Sequence, residues 1–508
     1  MKSSSRIIVN TAAQYTRTIL NVLLSLWSSR IVLSALGEND FGTYSLVAGV
    51  VSMLSFLTNA LMASTQRFVS YHQGKGNPKT VGHVFNNSLI LHLFIGILLV
   101  AVLEVIEPLL FNGFLNISQE RIGAAKIVYQ QVLFMLMFSL LAAPFKALLV
   151  SYENIVYISV IEVLDGILKL VLAVGLLFVN YDKLVTYGWI MSAISMFNFV
   201  AFALFCFIKY EECKFPKISL FDFKYIKEIF GFTGWIVYHS MCIVGRTQGL
   251  AIVLNKFFGT LLNAAYGVGL QVSGAINFVS SSLGNAINPQ LVKSEGSDNR
   301  ERVWHLARIQ CKYSFLLLAA VSIPIMFEID ALLNIWLKKV PEHSAFFAIM
   351  IMSAALFNQL TDGLGAAKQA IGNIKKYTLI TSTPKLLVIP TSILFLYNKA
   401  PLYTVALCFV GAEVFSAVIR LPVLYKYNGF DVRKYYNQVV KMVILPVMLC
   451  VTICYLFVNY IDIEYRFLLT FVSSAVLFVV AVYLFSMEKN EKKKINEIVL
   501  KIILKHKK

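Results

Sequence analysis

Two stretches of this chain repeat one another at a fixed spacing, without a gap. The first runs from Leu36-Gly37-Glu38-Asn39-Asp40-Phe41-Gly42-Thr43-Tyr44 to Gly74-Lys75-Gly76-Asn77, the second from Phe258-Gly259 through Tyr266 to Gly296-Ser297-Asp298-Asn299. Gly37 and Gly259, Tyr44 and Tyr266, Gly74 and Gly296, Asn77 and Asn299, and His83 and His305 each lie 222 residues apart. Such a period divides the chain into two halves built alike. In a very apolar chain it points to a two-lobed membrane protein with one site between the lobes.

The chain is that apolar: 58% of its 508 residues are hydrophobic and only 14% are charged, against about 25% charged in soluble proteins. Apolar runs of about 20 residues recur from end to end. They lack the alternation of barrel strands, so the expected fold class is all-α, a polytopic membrane protein. About 14 spans are predicted by the ~20-residue criterion, near residues 8–35, 42–66, 83–110, 124–150, 155–180, 184–208, 225–255, 260–287, 303–327, 344–366, 375–397, 402–425, 438–458 and 464–487. Pro144 interrupts the fourth and Asn358–Asp362 the tenth.

With the N-terminus inside, roughly 30 of the 45 Lys and Arg residues fall in inside loops and tails and about eight outside. The net charge of +18 is thus mostly a topology signal, and no nucleic-acid partner is expected. Both termini are predicted to be cytoplasmic, and the first span is read as retained, since no cleavage site follows it. The seven Cys are scattered. Cys450 and Cys454, one helical turn apart, read as packing, because two thiols make no metal site.

The predicted organisation is a six-helix lobe (1–208), an inside linker (209–224), a second six-helix lobe (225–425), an extra helix pair (438–487) and a basic tail (488–508). Both copies enter from the inside and are therefore parallel repeats about an axis along the membrane normal. The tail spaces Ile495, Ile498, Val499, Ile502 and Ile503 along one helical face beside Lys. That pattern suits either an amphipathic helix on an anionic leaflet or a solvated helix.

Polar side chains inside spans face protein or water. Ser45, Ser52, Ser55, Asn59 and Gln66 form one stripe in span two, and Asn277, Ser281, Asn285 and Asn288 form another in span eight. The repeat maps Ser55 onto Asn277, Asn59 onto Ser281 and Gln66 onto Asn288. A shared vestibule explains this, as does helix-to-helix gluing by small polar residues. In span one Asn10, Gln14, Arg17, Asn21 and Ser28 share a face, and the repeat partner of Arg17 is His239, which shares a face with Cys242 and Arg246. Arg30 reads as an interfacial anchor.

Span five carries Glu162, Asp165 and Lys169 on one face; Asp165 and Lys169 can pair at i,i+4. That leaves Glu162 without a local partner, a candidate proton carrier. Lys385 echoes Lys169, Asp362 adds a charge in span ten, and Glu413 with Arg420 adds two more in span twelve, read as a buried structural pair at least as readily as a functional one. The basic residues within the spans include Arg17, Arg30, Lys169, Arg246, Lys312, Lys385 and Arg420. Arg17, Lys169 and Arg246 lie on faces read as lumenal, and such a cationic cavity favours an anionic cargo.

The run Leu36-Gly37-x-x-x-Phe41-Gly42-x-Tyr44-x-Leu46 after a polar first span, with Gln73-Gly74-Lys75-Gly76-Asn77 and its second copy, resembles bacterial polysaccharide-biosynthesis flippases. These are the O-antigen and capsule (Wzx-type) proteins of the multidrug/oligosaccharidyl-lipid/polysaccharide exporter superfamily. The resemblance implies transfer of an undecaprenyl-diphosphate-linked oligosaccharide from the inner to the outer leaflet of a bacterial cytoplasmic membrane. It implies alternating access and cationic residues gripping the diphosphate, a role that falls here to Arg17 and Arg246, with Lys169 behind them. The remaining cavity candidates are His239, Asn21, Asn59, Gln66, Asn277 and Asn288. The candidate ion carriers are Glu162, Asp165 and Asp362. No cofactor or metal is expected, and the residues do not distinguish proton from Na⁺ coupling, nor either from an uncoupled process.

The expected partners are the lipid-linked oligosaccharide, membrane lipids and polysaccharide polymerase machinery, around a monomer. Two alternatives remain: a cation-coupled multidrug antiporter of the same superfamily, and a membrane-embedded polysaccharide polymerase. An enzyme is disfavoured because the chain has no Asp-x-Asp, no Gly-rich phosphate loop and no Ser/His/Asp arrangement.

Overall fold

A computed structural model describes residues 3–492, less 53, 115–116, 215–216, 218–219, 338–339, 464 and 489–490. All its regular elements are helices: α1 (Ser3–Ser52), α2 (Ser55–Gly74), α3 (Pro78–Leu109), α4 (Ile122–Ser151), α5 (Ile155–Gly175), α6 (Lys183–Lys209), α7 (Phe223–Gly296), α8 (Arg300–Phe327), α9 (Ile329–Trp336), α10 (Ser344–Ile371), α11 (Lys375–Leu386), α12 (Val388–Tyr397), α13 (Tyr403–Asn428), α14 (Val432–Tyr435), α15 (Lys441–Tyr460) and α16 (Arg466–Ala481). The expected tail helix at residues 493–508 lies outside the described residues.

Among the described residues, ten helices are long and apolar enough to cross a bilayer, beginning with Val9–Gly37 and ending with Arg466–Ser486. The expected count of 14 is not reached on that criterion. The other four stretches, 42–66, 155–180, 225–255 and 260–287, are largely helical but more polar; α5 alone holds Glu162, Asp165 and Lys169. Neither Pro144 nor Asn358–Asp362 breaks its helix: α4 and α10 run through them. Large apolar side chains such as Val105, Phe178 and Val472 remain exposed along the helices. The length and apolarity of these helices make the chain a multi-pass membrane protein.

The sequence repeat is also a repeat of backbone conformation. Gly37 (φ 76°, ψ 169°) and Gly259 (φ 78°, ψ −169°) interrupt α1 and α7 at equivalent positions with the same left-handed turn. Only glycine adopts that combination readily, which explains why both copies keep it. Forty residues on, each copy ends its helix with the same three bonds. In the first, Lys75 N, Gly76 N and Asn77 N donate to the carbonyls of Tyr71, Gln73 and His72; in the second, Ser297 N, Asp298 N and Asn299 N donate to Lys293, Glu295 and Ser294. Gly76 and Asp298 both have positive φ (68° and 56°). Asn77 then caps α3 by accepting from Thr80 N at 3.2 Å.

Contacts divide the chain into two compact units. Unit 1 holds residues 1–240, 285–300 and 369–373; unit 2 holds 241–284, 301–368 and 374–508. In unit 1, α4 is the central helix, packed on α2, α3 and α6, while α1 lies along α5. Its burial on most sides explains why α4 shows almost no polar face. Its own Tyr129 and Phe145 are fully buried, as are Phe85 of α3 and Phe202 of α6, and Tyr129 donates to the Leu103 carbonyl at 2.7 Å. Arg121, ahead of α4, clamps both Asp40 and Asp182 at 2.7–3.0 Å, which fixes the segment just past the Gly37 turn. Unit 1 also contains the meeting of the two repeat ends. A Cβ on Gly74 would lie 2.2 Å from the Lys293 carbonyl oxygen, and one on Gly296 would lie 2.0 Å from that of Tyr71. Tyr71 and Lys293 are themselves repeat partners.

In unit 2 the extra pair α15 and α16 packs on α8 through Phe315, Leu316, Ala319 and Ile323 against Val443, Cys450, Cys454 and Phe478. Charges pin this layer at two levels. The guanidinium of Arg466 forks onto Glu328 at 3.0 and 3.1 Å, and Lys312 reaches Glu491 at 2.9 Å and the Ser486 carbonyl at 3.1 Å.

Gly74→Ala and Gly296→Ala should each lower stability by about 1–3 kcal/mol, because the methyl meets backbone that cannot swing aside. Gly123→Ala, whose Cβ meets nothing within 4 Å, should not. Thermal unfolding in detergent reads the difference.

Candidate functional site

The charged face of α5 is the core of the site in unit 1. Glu162, Asp165 and Lys169 project from one side of that helix, and Gly166 between them lets α1 approach closely. A Cβ there would stand 3.0 Å from both Asn21 Oδ1 and Leu24 Cδ1. This approach brings Arg17 to Glu162, Nη1 to Oε2, at 2.8 Å. The second oxygen of Glu162 accepts from Lys146 Nζ of α4 at 3.0 Å. Glu162 is therefore not the partnerless carboxylate expected from the sequence. The sequence argument considered only neighbours on α5, whereas its partners come from α1 and α4.

Asp165 pairs with Lys169 at 2.7 Å, as expected, and also accepts from Asn198 Nδ2 of α6 at 2.6 Å. Arg17, Lys146 and Lys169 thus face two carboxylates, Glu162 and Asp165, an excess of one positive charge. The side chains of Arg17, Lys146 and Glu162 are 21%, 28% and 29% exposed. Beside them a cavity of about 610 Å³ is lined by Asn21, Ser28, Tyr44, Ser45, Asp165 and Lys169.

Unit 2 holds a counterpart that is closed to solvent. Glu413 of α13 bridges Lys385 of α11, at 2.9 and 3.1 Å, and Arg246 of α7, whose guanidinium also lies 4.2 Å over the Phe409 ring. The side chains of Lys385, Glu413 and Arg246 are 2%, 3% and 10% exposed. The expected Glu413–Arg420 pair is corrected by these contacts. Arg420 instead donates to Thr361 Oγ1 and Asn358 Oδ1, both at 2.9 Å. The polar break Asn358–Asp362 in α10 serves this buried guanidinium, and Asp362 stands half-buried next to Thr361.

The other sequence candidates are dispersed. Asn59 and Asn277 are exposed, Asn277 donating to Ser273 Oγ at 3.2 Å. Gln66, His239 and Asn288 are half-buried. Asn285 reaches Gln14 Oε1 at 3.4 Å, and Asn10 donates to the Glu153 carbonyl at 3.0 Å. The Glu153 carboxylate holds Lys293 at 2.9 Å and Gln290 at 2.7 Å. Sequence reasoning missed Lys146. Its signal was a lysine within the expected span 124–150, a few residues from the end of an apolar helix.

The helices, kinks and repeat meet known proteins at this point. Residues 16–174 match the MatE family model. Among solved structures, a crystal structure of a MATE mutant superimposes with a TM-score of 0.74, at 15% identity, over 83% of this chain and 95% of that one. The chain has the MATE fold. A second similar structure is that of a MOP-superfamily transporter from Pyrococcus furiosus, with a TM-score of 0.69 at 14% identity over 83% of this chain and 95% of that chain. In sequence, the chain is 23% identical over 356 residues to the uncharacterized membrane protein EpsK of Bacillus subtilis (strain 168), covering 68% of each.

The two carboxylates in this MATE-fold chain should respond differently to removal. Glu413→Gln strands two cations in a dry interior and should cost about 3–5 kcal/mol. Glu162→Gln, at a partly wet site, should cost about 1 kcal/mol or less. Thermal unfolding of the two variants side by side checks the contrast.

Proposed function

We propose that this protein carries a lipid-linked, phosphate-bearing oligosaccharide across the membrane by alternating access, in the manner of a polysaccharide flippase. The observation that carries the reading is the positive excess at the wet cluster of unit 1, where Arg17, Lys146 and Lys169 outnumber Glu162 and Asp165. Guanidinium and ammonium groups in a low-dielectric surrounding favour phosphate and repel cationic drugs. The adjoining cavity offers hydroxyl and amide groups suited to sugar. The Pyrococcus furiosus relative is described as having a binding pocket of reverse polarity that suggests a different function. Pocket polarity is thus a point on which proteins of this fold differ.

In this reading Arg17 and Lys169 bind the diphosphate, while Arg246 is withheld by Glu413. The prenyl tail stays in lipid. The basic loops set the inside face, with both termini cytoplasmic in a bacterial inner membrane.

A second reading, a cation-coupled multidrug antiporter, draws on likeness to an outward-facing multidrug resistance MATE transporter (TM-score 0.70, 16% identity) and on Asp165 at the cavity wall.

Reconstituted in liposomes, the protein should move a prenyl-diphospho-oligosaccharide between leaflets, and Arg17→Gln should slow this by about tenfold or more, the effect of losing one charged contact of about 1.4 kcal/mol. Resistance to cationic drugs in expressing cells, without glycolipid movement, would favour the antiporter.

A further inference from the structure

Unit 1 contains two short pieces of the second repeat, residues 285–300 and 369–373. Each is tied to the first repeat, and the two ties occupy matching places. Arg67, toward the end of α2, donates to the Gln369 and Ala370 carbonyls at 2.6 and 3.5 Å. In the other copy Gln290 and Lys293, near the end of α7, hold the Glu153 carboxylate at 2.7 and 2.9 Å. Gln290 is the repeat partner of Phe68, the residue after Arg67. Glu153-Asn154-Ile155 likewise matches Gly372-Asn373-Ile374, 219 residues on. Glu153 and Gly372 both turn with positive φ, 61° and 87°. Glycine is needed in the second copy, since a Cβ on Gly372 would lie 2.3 Å from Arg67 Nη2. Glutamate has no backbone advantage at such a turn. What it adds is a carboxylate, 5% exposed, that reaches α7.

The two ties differ in what parting them would do. Arg67 sits on backbone carbonyls in the last turn of α10 and lies 4.9 and 4.6 Å over the rings of Phe68 and Phe232. Removing it would leave those carbonyls without a partner at a helix end. Glu153 stands in the loop between α4 and α5, and Lys293 lies one turn from the end of α7 and is 25% exposed. Ions parted there meet water. Parting Glu413 from Lys385 would instead strand both in a dry interior. Beyond both ties, Gly74 and Gly296 cross backbone to backbone, with no side chain to let go. These ends of α2, α4, α7 and α10 lie on the face that the Lys and Arg distribution marks as inside.

We propose that the Glu153–Lys293 ion pair is the releasable latch of this inner face. It parts when the α4–α5 corner tilts away from α7, about the Gly74–Gly296 crossing, and it re-forms when the face closes. The Arg67 tie stays joined. The left-handed turn at Glu153 is kept because it aims the carboxylate at Lys293, a case of backbone strain held at a moving part. The inference rests on the alternating-access part of the proposed function and not on the nature of the cargo.

The test is a distance measurement by pulsed electron resonance on the full chain in nanodiscs. Spin-labelled non-natural residues replace Val156, exposed on the first turn of α5, and Ser297, exposed just past α7; the native cysteines stay. Wild type should show one main short distance and a minor longer one. Glu153→Gln and Lys293→Gln should each raise the ratio of long to short by roughly tenfold or more, the effect of losing one charge-assisted bond. Lys293→Arg, which keeps the charge, should stay near the wild-type ratio. The double variant Glu153→Lys with Lys293→Glu should return toward it, which a loss of fold would not do. A longer distance in wild type that neither Gln variant enriches, or no recovery in the swapped pair, would overturn the latch and leave alternating access standing. A single unchanged distance in wild type and every variant would remove both.

Discussion

A charge in a membrane interior must be answered by another charge or by water, and the ionic residues of this chain follow that constraint. The cost of an unpaired ion in hydrocarbon exceeds what packing at one residue can return. Each unit accordingly ties its helices together through shared carboxylates: α1, α4 and α5 through Glu162, and α7, α11 and α13 through Glu413. What separates the two is water. The buried cluster is a fixed joint, expensive to break once either side is removed. The wet cluster holds its partners under screening, where an incoming anion can compete.

Much of the fold was legible because the two strongest signals, apolar length and the 222-residue repeat, are local and additive. Both halves keep Gly37 and Gly259 for one backbone reason, a left-handed turn inside a long helix. The Gly74 and Gly296 segments repeat the same helix-ending bonds because three backbone donors must be satisfied there. Helix count was harder. Residues that function inside a span lower its apolarity, so α5, the helix with the most chemistry, is one that the length-and-apolarity criterion leaves out.

The site was legible only in part. Residues that share a helix face can be paired from sequence, and Asp165 with Lys169 was read that way. Partners on other helices cannot, since their meeting depends on how closely the helices pack. Glu162 gained Arg17 because Gly166 removes a side chain where α1 approaches α5, and it gained Lys146 from α4. Glu413 took Lys385 and Arg246 rather than Arg420, two turns along the same face of α13, whose needs are met by Asn358 and Thr361. Spacing along one helix misled there because the donors of another helix were closer.

The account stands on Arg17 and Lys169 being the groups that bind the diphosphate. The most direct measurement is an experimental structure of the protein bound to a prenyl diphospho-sugar. The account predicts phosphate oxygens within hydrogen-bonding distance of Arg17 and Lys169. A diphosphate bound away from both would contradict it.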